Sequence, residues 1–297
     1  MKAALLPDRG VVKVAGDDAR TFLHGLVSAD ITKLTARAAR FGALLTPQGK
    51  MVTDFIVVEA PTEAGGGFFL DVPHAQVATL VAKLNLYKLR SRVIVEDLSE
   101  MLGVLAAWDG DAITKYGLAY ADPRLLSLGM RVMLPPHLAD AAAADFGATV
   151  VDASEYEAHR IVLGIPRGGV DFGYGDAFPH EADMDQLGGI DFAKGCYVGQ
   201  EVVSRMEHRG IVRTRAVPVR YNGAAPDAGG AVTAGGREVG TMGSAAAGHG
   251  IALLRLDRAA DALSRGETLV AGVVPIQLIK PDWARFAVPP DGSKAAE

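Results

Sequence analysis

The chain of 297 residues predicts an α+β protein with a separate, small β domain at its C-terminal end. Three observations carry this. Two stretches, 68–95 and 131–151, share one order of elements: strand, Pro-His, helix, strand. From about Arg209 the sequence changes to short β-like runs between glycine-rich turns. Hydrophobic residues make up 49% of the chain, enough for sizeable cores, and the length fits two or three domains.

In chain order, Gly10-Val11-Val12-Lys13-Val14 is β-branched and reads as a strand. Gly16-Asp17-Asp18 then offers a helix cap, and Ala19 to Val27 carry apolar residues at helical spacing. Gly42 to Thr46 and Thr53 to Val58 flank Pro47-Gln48-Gly49, the pattern of a β-hairpin. Phe68 to Val72 runs into Pro73-His74, a helix over Ala75 to Asn85 and a strand around Arg92 to Val95. Arg131 to Leu134 runs into Pro135-Pro136-His137, a helix over Leu138 to Phe146 and a strand over Ala148 to Val151. A duplication would give two related lobes facing a cleft. The plainer reading is that proline and a polar residue often open helices after strands. Further on, Ala216 to Val219, Ala231 to Thr233, Val239 to Met242 and Val273 to Ile279 read as strands of a small barrel or sandwich. The tail from Ala287 lacks core-forming residues and is expected to be disordered.

Thirty basic against 35 acidic side chains give a net charge of −5, so direct nucleic-acid binding is not expected. Met1 to Asp8 has too short an apolar run for a signal peptide, and no apolar stretch is long enough to span a bilayer. A cytoplasmic protein without a membrane partner is expected, its lone cysteine reduced. That single cysteine, Cys196, excludes an internal disulfide, a zinc site of several cysteines and an intramolecular CxxC couple. His74, His137, His180 and His208 form no metal-spaced set, so no metal site is expected.

The densest run of special residues is Lys194-Gly195-Cys196-Tyr197-Val198-Gly199-Gln200-Glu201. A helix reading from Val198 puts Cys196 near a helix N-terminus, where the partial positive charge, with Lys194, favours thiolate. The plainer reading of a lone cysteine is a small buried hydrophobe. Glu201 and Arg205 stand four apart, on one helical face as an ion pair. Upstream, His159 to Pro166 leads into a glycine-rich loop, Gly168 to Gly173, and then Pro179-His180-Glu181. Glu181 is either a solvated carboxylate or an acceptor for two N–H donors of a pterin-like ring. Arg205, Arg209, Arg213, Arg215 and Arg220 face a single Glu207 in that stretch. They read either as an exposed face or as an attractor for a polyglutamate tail or acidic partner.

The string Lys194-Gly195-Cys196-Tyr197-x-Gly199-Gln200-Glu201-x-x-x-Arg205 resembles the signature of the YgfZ family of folate-binding proteins, relatives of the glycine-cleavage aminomethyltransferase (T-protein). Gly16 to Ala19 with Phe22-Leu23, Leu44 to Lys50, Asp54, Arg160 with Gly164, and Pro179-x-Glu181 agree with it in order. The resemblance implies a T-protein-like fold, with α+β lobes around a central folate channel and a C-terminal β-barrel. The expected divisions are 1–98, 99–207 with the cysteine signature, 208–284 for the barrel and 285–297 for a tail. It implies tetrahydrofolate or a derivative as cofactor, with Glu181 as the pterin carboxylate and Arg205, Lys194, Tyr197, Gln200 and Glu201 at the binding site. Cys196 is then a reactive thiol or transient ligand, and the partners are iron–sulfur client enzymes or cluster-assembly proteins. Support of tRNA modification would follow indirectly. One cysteine cannot hold a cluster alone, so any cluster is shared or passing through. Where T-proteins carry an Asp-Asp pair, this chain has Thr53-Asp54. The alternative is a tetrahydrofolate-dependent aminomethyltransferase or demethylase with Asp54 as its catalytic carboxylate.

Overall fold

Apolar side chains on the strands of the N-terminal half build two five-stranded sheets. The structure, a computed structural model, describes residues 1–36, 38–210 and 212–290. The chain divides into two compact units: Met1–Tyr156 with Leu187–Val202, and Glu157–Gln186 with the chain from Val203 on.

The first unit opens with strands β1 (Lys2–Leu5) and β2 (Arg9–Ala15) and helix α1 (Ala19–Leu26). The expected hairpin follows as β3 (Ala39–Leu45) and β4 (Met51–Glu59), then β5 (Phe68–Pro73), α2 (Val77–Tyr87) and β6 (Ile94–Asp97). Strands β7 (Gly103–Trp108), β8 (Leu118–Ala121) and β9 (Met130–Leu134), helix α3 (Ala139–Asp145) and strand β10 (Thr149–Val150) complete it, and helix α4 (Ala153–Val162) follows. One sheet has the order β3-β4-β5-β2-β6, the other β10-β1-β7-β9-β8. Helices α1 and α2 bury Leu23, Leu80 and Leu84 against Val12, Val14, Val57 and Leu70 of the first sheet. The alanines of α3 close over Leu105, Val132 and Leu134 of the second.

Both copies of the strand, Pro-His, helix, strand order form, but they enter their sheets differently. Strand β6 pairs antiparallel with β2, one strand over from β5. Strand β10 pairs parallel with β1, two strands over from β9. The shared order is thus a local likeness with divergent sheet topology. Asp18, read as a cap, makes no side-chain bond to the start of α1. Its Oδ2 instead accepts the Arg92 N–H at 2.8 Å, tying α1 to the loop before β6.

A buried ion network joins the two sheets. Asp71 on β5, fully buried, accepts hydrogen bonds from Arg9 Nε (2.5 Å), Arg131 Nη1 (2.6 Å) and Tyr120 Oη (3.2 Å). Arg131 also donates to Asp122 (2.8 Å), whose other partner is the guanidinium of Arg124. Sequence reading gave no sign of this network, because its members are scattered over four segments.

The second unit contains a closed antiparallel barrel of strands β11 (Thr214–Tyr221), β12 (Ala231–Ala234), β13 (Arg237–Ala246), β14 (His249–Arg255), β15 (Leu269–Ala271) and β16 (Val274–Leu278), in the order β11-β14-β13-β12-β15-β16. Closure removes the free strand edges an open sheet would carry. Val217, Val219, Val232, Leu254 and Ile276 fill its core. A short helix, Leu256–Ser264, is inserted between β14 and β15, and sequence reading missed it. Most of the tail expected to be disordered, 291–297, lies outside the described residues. No helix among the described residues is long and apolar enough to cross a membrane.

Candidate functional site

In the first unit the signature loop lies on the end of α1 and on the β3–β4 turn. Upstream of the signature, Asp191 N–H bonds to Ser28 O at 3.0 Å. The buried Ser28 hydroxyl donates to Gly189 O (2.6 Å) and accepts from Ala43 N–H (2.8 Å). One side chain thereby joins the loop, the segment after α1 and strand β3.

Lys194 is 7% exposed, and its Nζ donates to His24 O (2.6 Å), Val27 O and Ala29 O (3.0 Å). The ammonium also stands 5.0 Å from the centre of the Tyr197 ring. Burial pushes Lys194 down to about 8, which leaves it cationic at neutral pH. Tyr197 is buried too. Loss of solvent, with the nearby Asp191 charge, pushes its phenol up to about 12. Burial opposes ionisation of Asp30, but hydrogen bonds from Thr32 and Lys33 more than offset it and hold that carboxyl below its ordinary range.

Cys196 stands exposed between these two anchors. The reading of Cys196 as a packed hydrophobe therefore fails. The helix beyond it, α5, runs over Gln200–Arg209, so Cys196 lies four residues before it rather than at its N-terminus. A helix dipole acts chiefly within its first turn, which leaves this argument for a thiolate without support. No ion pair joins Glu201 to Arg205 among the described residues, and both are exposed.

Gly199 sits directly before α5 with φ 83°. A Cβ there would lie 2.5 Å from Thr46 O and 3.1 Å from Gly49 Cα, and a Cβ on Gly49, at φ 80°, would lie 2.9 Å from Val202 Cβ. The two glycines let the signature and the hairpin turn pack backbone to backbone. Gly199→Ala is expected to cost about 1–3 kcal/mol through strain and clash, read as a lowered urea midpoint.

The remaining predicted residues distribute as follows. Asp54 is buried on β4, and Gln200 is half-buried at the start of α5. Glu181 and Arg205 belong to the second unit. There Glu181 Oε2 accepts the Phe178 N–H at 2.8 Å, while Glu181 N–H bonds to Phe178 O at 3.0 Å. Arg160, almost fully buried, bonds Asp171 (2.9 Å) and Ser244 (2.8 Å), tying the helix Ala153–Val162 to β13. The arginine run is not one exposed face. Arg215 is buried, its guanidinium bonded to both oxygens of Asp185 (2.5 and 2.9 Å), to Asp183 (3.3 Å) and to His180 O (2.8 Å). His180, Asp185 and Glu207 bring one ligand-type atom each within 4.8 Å of one another, a grouping that their sequence spacing hid. In this arrangement Asp185 is engaged by Arg215.

The fold is similar to that of a solved aminomethyltransferase. The crystal structure of glycine cleavage system aminomethyltransferase T from Bartonella henselae superposes with a TM-score of 0.74, covering 95% of this chain and 86% of that one. At 15% identity the likeness is one of fold. Residues 213–286 match the family described as CAF17, C-terminal beta-barrel domain, which spans the barrel. The iron-sulfur cluster assembly factor IBA57, mitochondrial, of Mus musculus is 31% identical over 306 residues, covering 94% of this chain and 84% of that protein. The homolog from Pyricularia oryzae is 31% identical over 90% of this chain and 75% of its own length. The homolog from Mycosarcoma maydis reaches 38% identity over 74% of this chain.

The chain belongs to the IBA57 family of iron–sulfur cluster assembly factors. It spans 57%, 56% and 54% of the length of the Mycosarcoma maydis, Coccidioides immitis and Neurospora crassa relatives. The cytoplasmic expectation is overturned, since these relatives are each named as mitochondrial. A lone cysteine does not separate one reducing compartment from another.

Proposed function

We propose that this chain serves iron–sulfur cluster assembly by presenting the Cys196 thiol to a partner that carries or receives the cluster. The observation that supports this is the exposed cysteine between two buried anchors, Lys194 and Tyr197. One thiolate supplies one ligand, so the partner supplies the rest and the cluster is cargo. Tetrahydrofolate or a derivative is the small-molecule ligand, with Glu181 accepting pterin N–H donors and Arg205, in the same unit, contributing. One oxygen of Glu181 already takes the Phe178 N–H, and a carboxylate has capacity for further bonds. Lys194 and Tyr197 act by shaping the loop, since the Lys194 donors are all taken by carbonyls. Client enzymes with four-iron clusters, including those that methylthiolate tRNA, would depend on it.

The test uses cells lacking the gene, complemented with wild type or Cys196→Ala, and measures a four-iron enzyme. Rescue by wild type alone is expected, and equal rescue by the variant would remove Cys196 from the function. For the folate part, Glu181→Gln is expected to weaken tetrahydrofolate binding about tenfold by calorimetry, the loss of roughly one charge-assisted hydrogen bond. Unchanged affinity would remove Glu181 from the site.

A second reading, a tetrahydrofolate-dependent aminomethyltransferase or demethylase, is favoured only by the buried Asp54 carboxylate on the hairpin that packs under the signature. It requires turnover of a methylamine-type substrate that Asp54→Asn abolishes.

A further inference from the structure

An exposed thiol on a loop is useful to a partner only if the loop holds it in one place. We propose that Lys194 is the positioning residue for Cys196, a buried ammonium latch that ties the signature loop to the end of α1 rather than a cation that activates the thiol. The inference rests on the reading of Cys196 as the working group.

A lysine ammonium has three donors and no acceptor. Here all three find carbonyls, of His24, Val27 and Ala29, so none is left to bond the Cys196 sulfur. His24 lies in the last turn of α1 and Val27 is its C-cap. These are carbonyls at the negative end of the helix, where a cation is favoured. Among the described residues no carboxylate bonds the ammonium. Asp191 oxygens take the Ala193 N–H and the Lys33 ammonium, and those of Asp30 take Thr32 and Lys33. The latch is therefore an ammonium capping a helix end from a distant part of the chain. It stands two residues before the thiol, and the buried Tyr197 ring stands one residue after it. A planar guanidinium directs its donors into one plane and does not reproduce three convergent bonds to a helix end.

The test compares the full-length wild type with Lys194→Met, which keeps the chain length and removes charge and donors. Amide hydrogen exchange across residues 24–30 and 189–199 is expected to quicken about tenfold or more, with the barrel amides unchanged. Alkylation of Cys196 by iodoacetamide at pH 7 is expected to stay within about twofold of wild type. Lys194→Arg is expected not to restore protection. Unchanged exchange in the loop would overturn the latch. Alkylation slowed about tenfold would make Lys194 an activator and overturn it equally. Should the methionine variant fail to fold, Lys194→Gln, which keeps two donors, is expected to show an intermediate rise in exchange. Both readouts are made without any cluster, so a failure of the Cys196 function would leave them standing.

Discussion

Asp71→Ala is expected to lower the unfolding free energy by about 3–5 kcal/mol, the usual cost of removing one partner from a buried ion pair. The magnitude follows from what the change leaves behind. Arg9 loses its carboxylate, and Arg131 keeps one carboxylate, Asp122, which it shares with Arg124. Three guanidiniums would then face one acid in a region where Asp71 and Asp122 are fully buried. Because Asp71 lies on β5 and Arg131 on β9, the loss falls on the joint between the two sheets of the first unit. Urea unfolding checks it, and a change below about 1 kcal/mol would show that the network contributes no net stability.

The same network sets an acid limit. Burial opposes the charge of Asp71, but Arg9 and Arg131 outweigh it and hold the carboxyl below its ordinary range. Asp122 is held down in the same way by Arg124 and Arg131. Their folded-state values lie below the unfolded value near 3.9, so the stabilisation is complete above about pH 4. It is lost as pH falls through the folded values. Wild type is expected to lose stability below about pH 4 more steeply than Asp71→Asn.

Arg215→Met should destabilise the second unit by a similar amount, about 3–5 kcal/mol. It removes the partner of both Asp185 oxygens and leaves Asp183 fully buried with no cation. Burial already pushes the Asp183 carboxyl well above its ordinary range; Arg215 pulls it back and Asp185 adds to the rise. Without the arginine the Asp183 carboxyl is pushed up further, and Asp185 stays uncompensated. Arg215 also stacks 4.7 Å from the Phe286 ring, so the C-terminal segment loses a contact. Lysine restores the charge but not the fork geometry, and Arg215→Lys is expected to recover less than half of the loss. Thermal unfolding followed at barrel residues would read this, and a wild-type-like midpoint in Arg215→Met would contradict it.

Elements with a clear period were legible. The β-branched run of β2, the apolar spacing of α1, the Pro-Gln-Gly hairpin and the short runs of the barrel all appear where the pattern put them. Strand β7 was not, because Gly103-Val104-Leu105-Ala106-Ala107-Trp108 is buried throughout and so lacks alternation. The signature could be found because it concentrates glycine, lysine and the lone cysteine in eight positions. The surface that receives it could not be found. Lys194 is held by main-chain carbonyls of residues 24, 27 and 29, and carbonyls carry no side-chain identity in a sequence. The packing of Gly199 on Gly49 was hidden in the same way, since each glycine alone reads as a turn residue.

On the proposed function, Cys196 contributes a ligand to a cluster held by a partner. The direct measurement is the visible absorption of a carrier protein loaded with a two-iron cluster, titrated with wild type and with Cys196→Ala. A saturable change in the thiolate-to-iron bands with wild type alone is the predicted result. The same change with Cys196→Ala, or none with either protein, would remove Cys196 from the cluster's ligands.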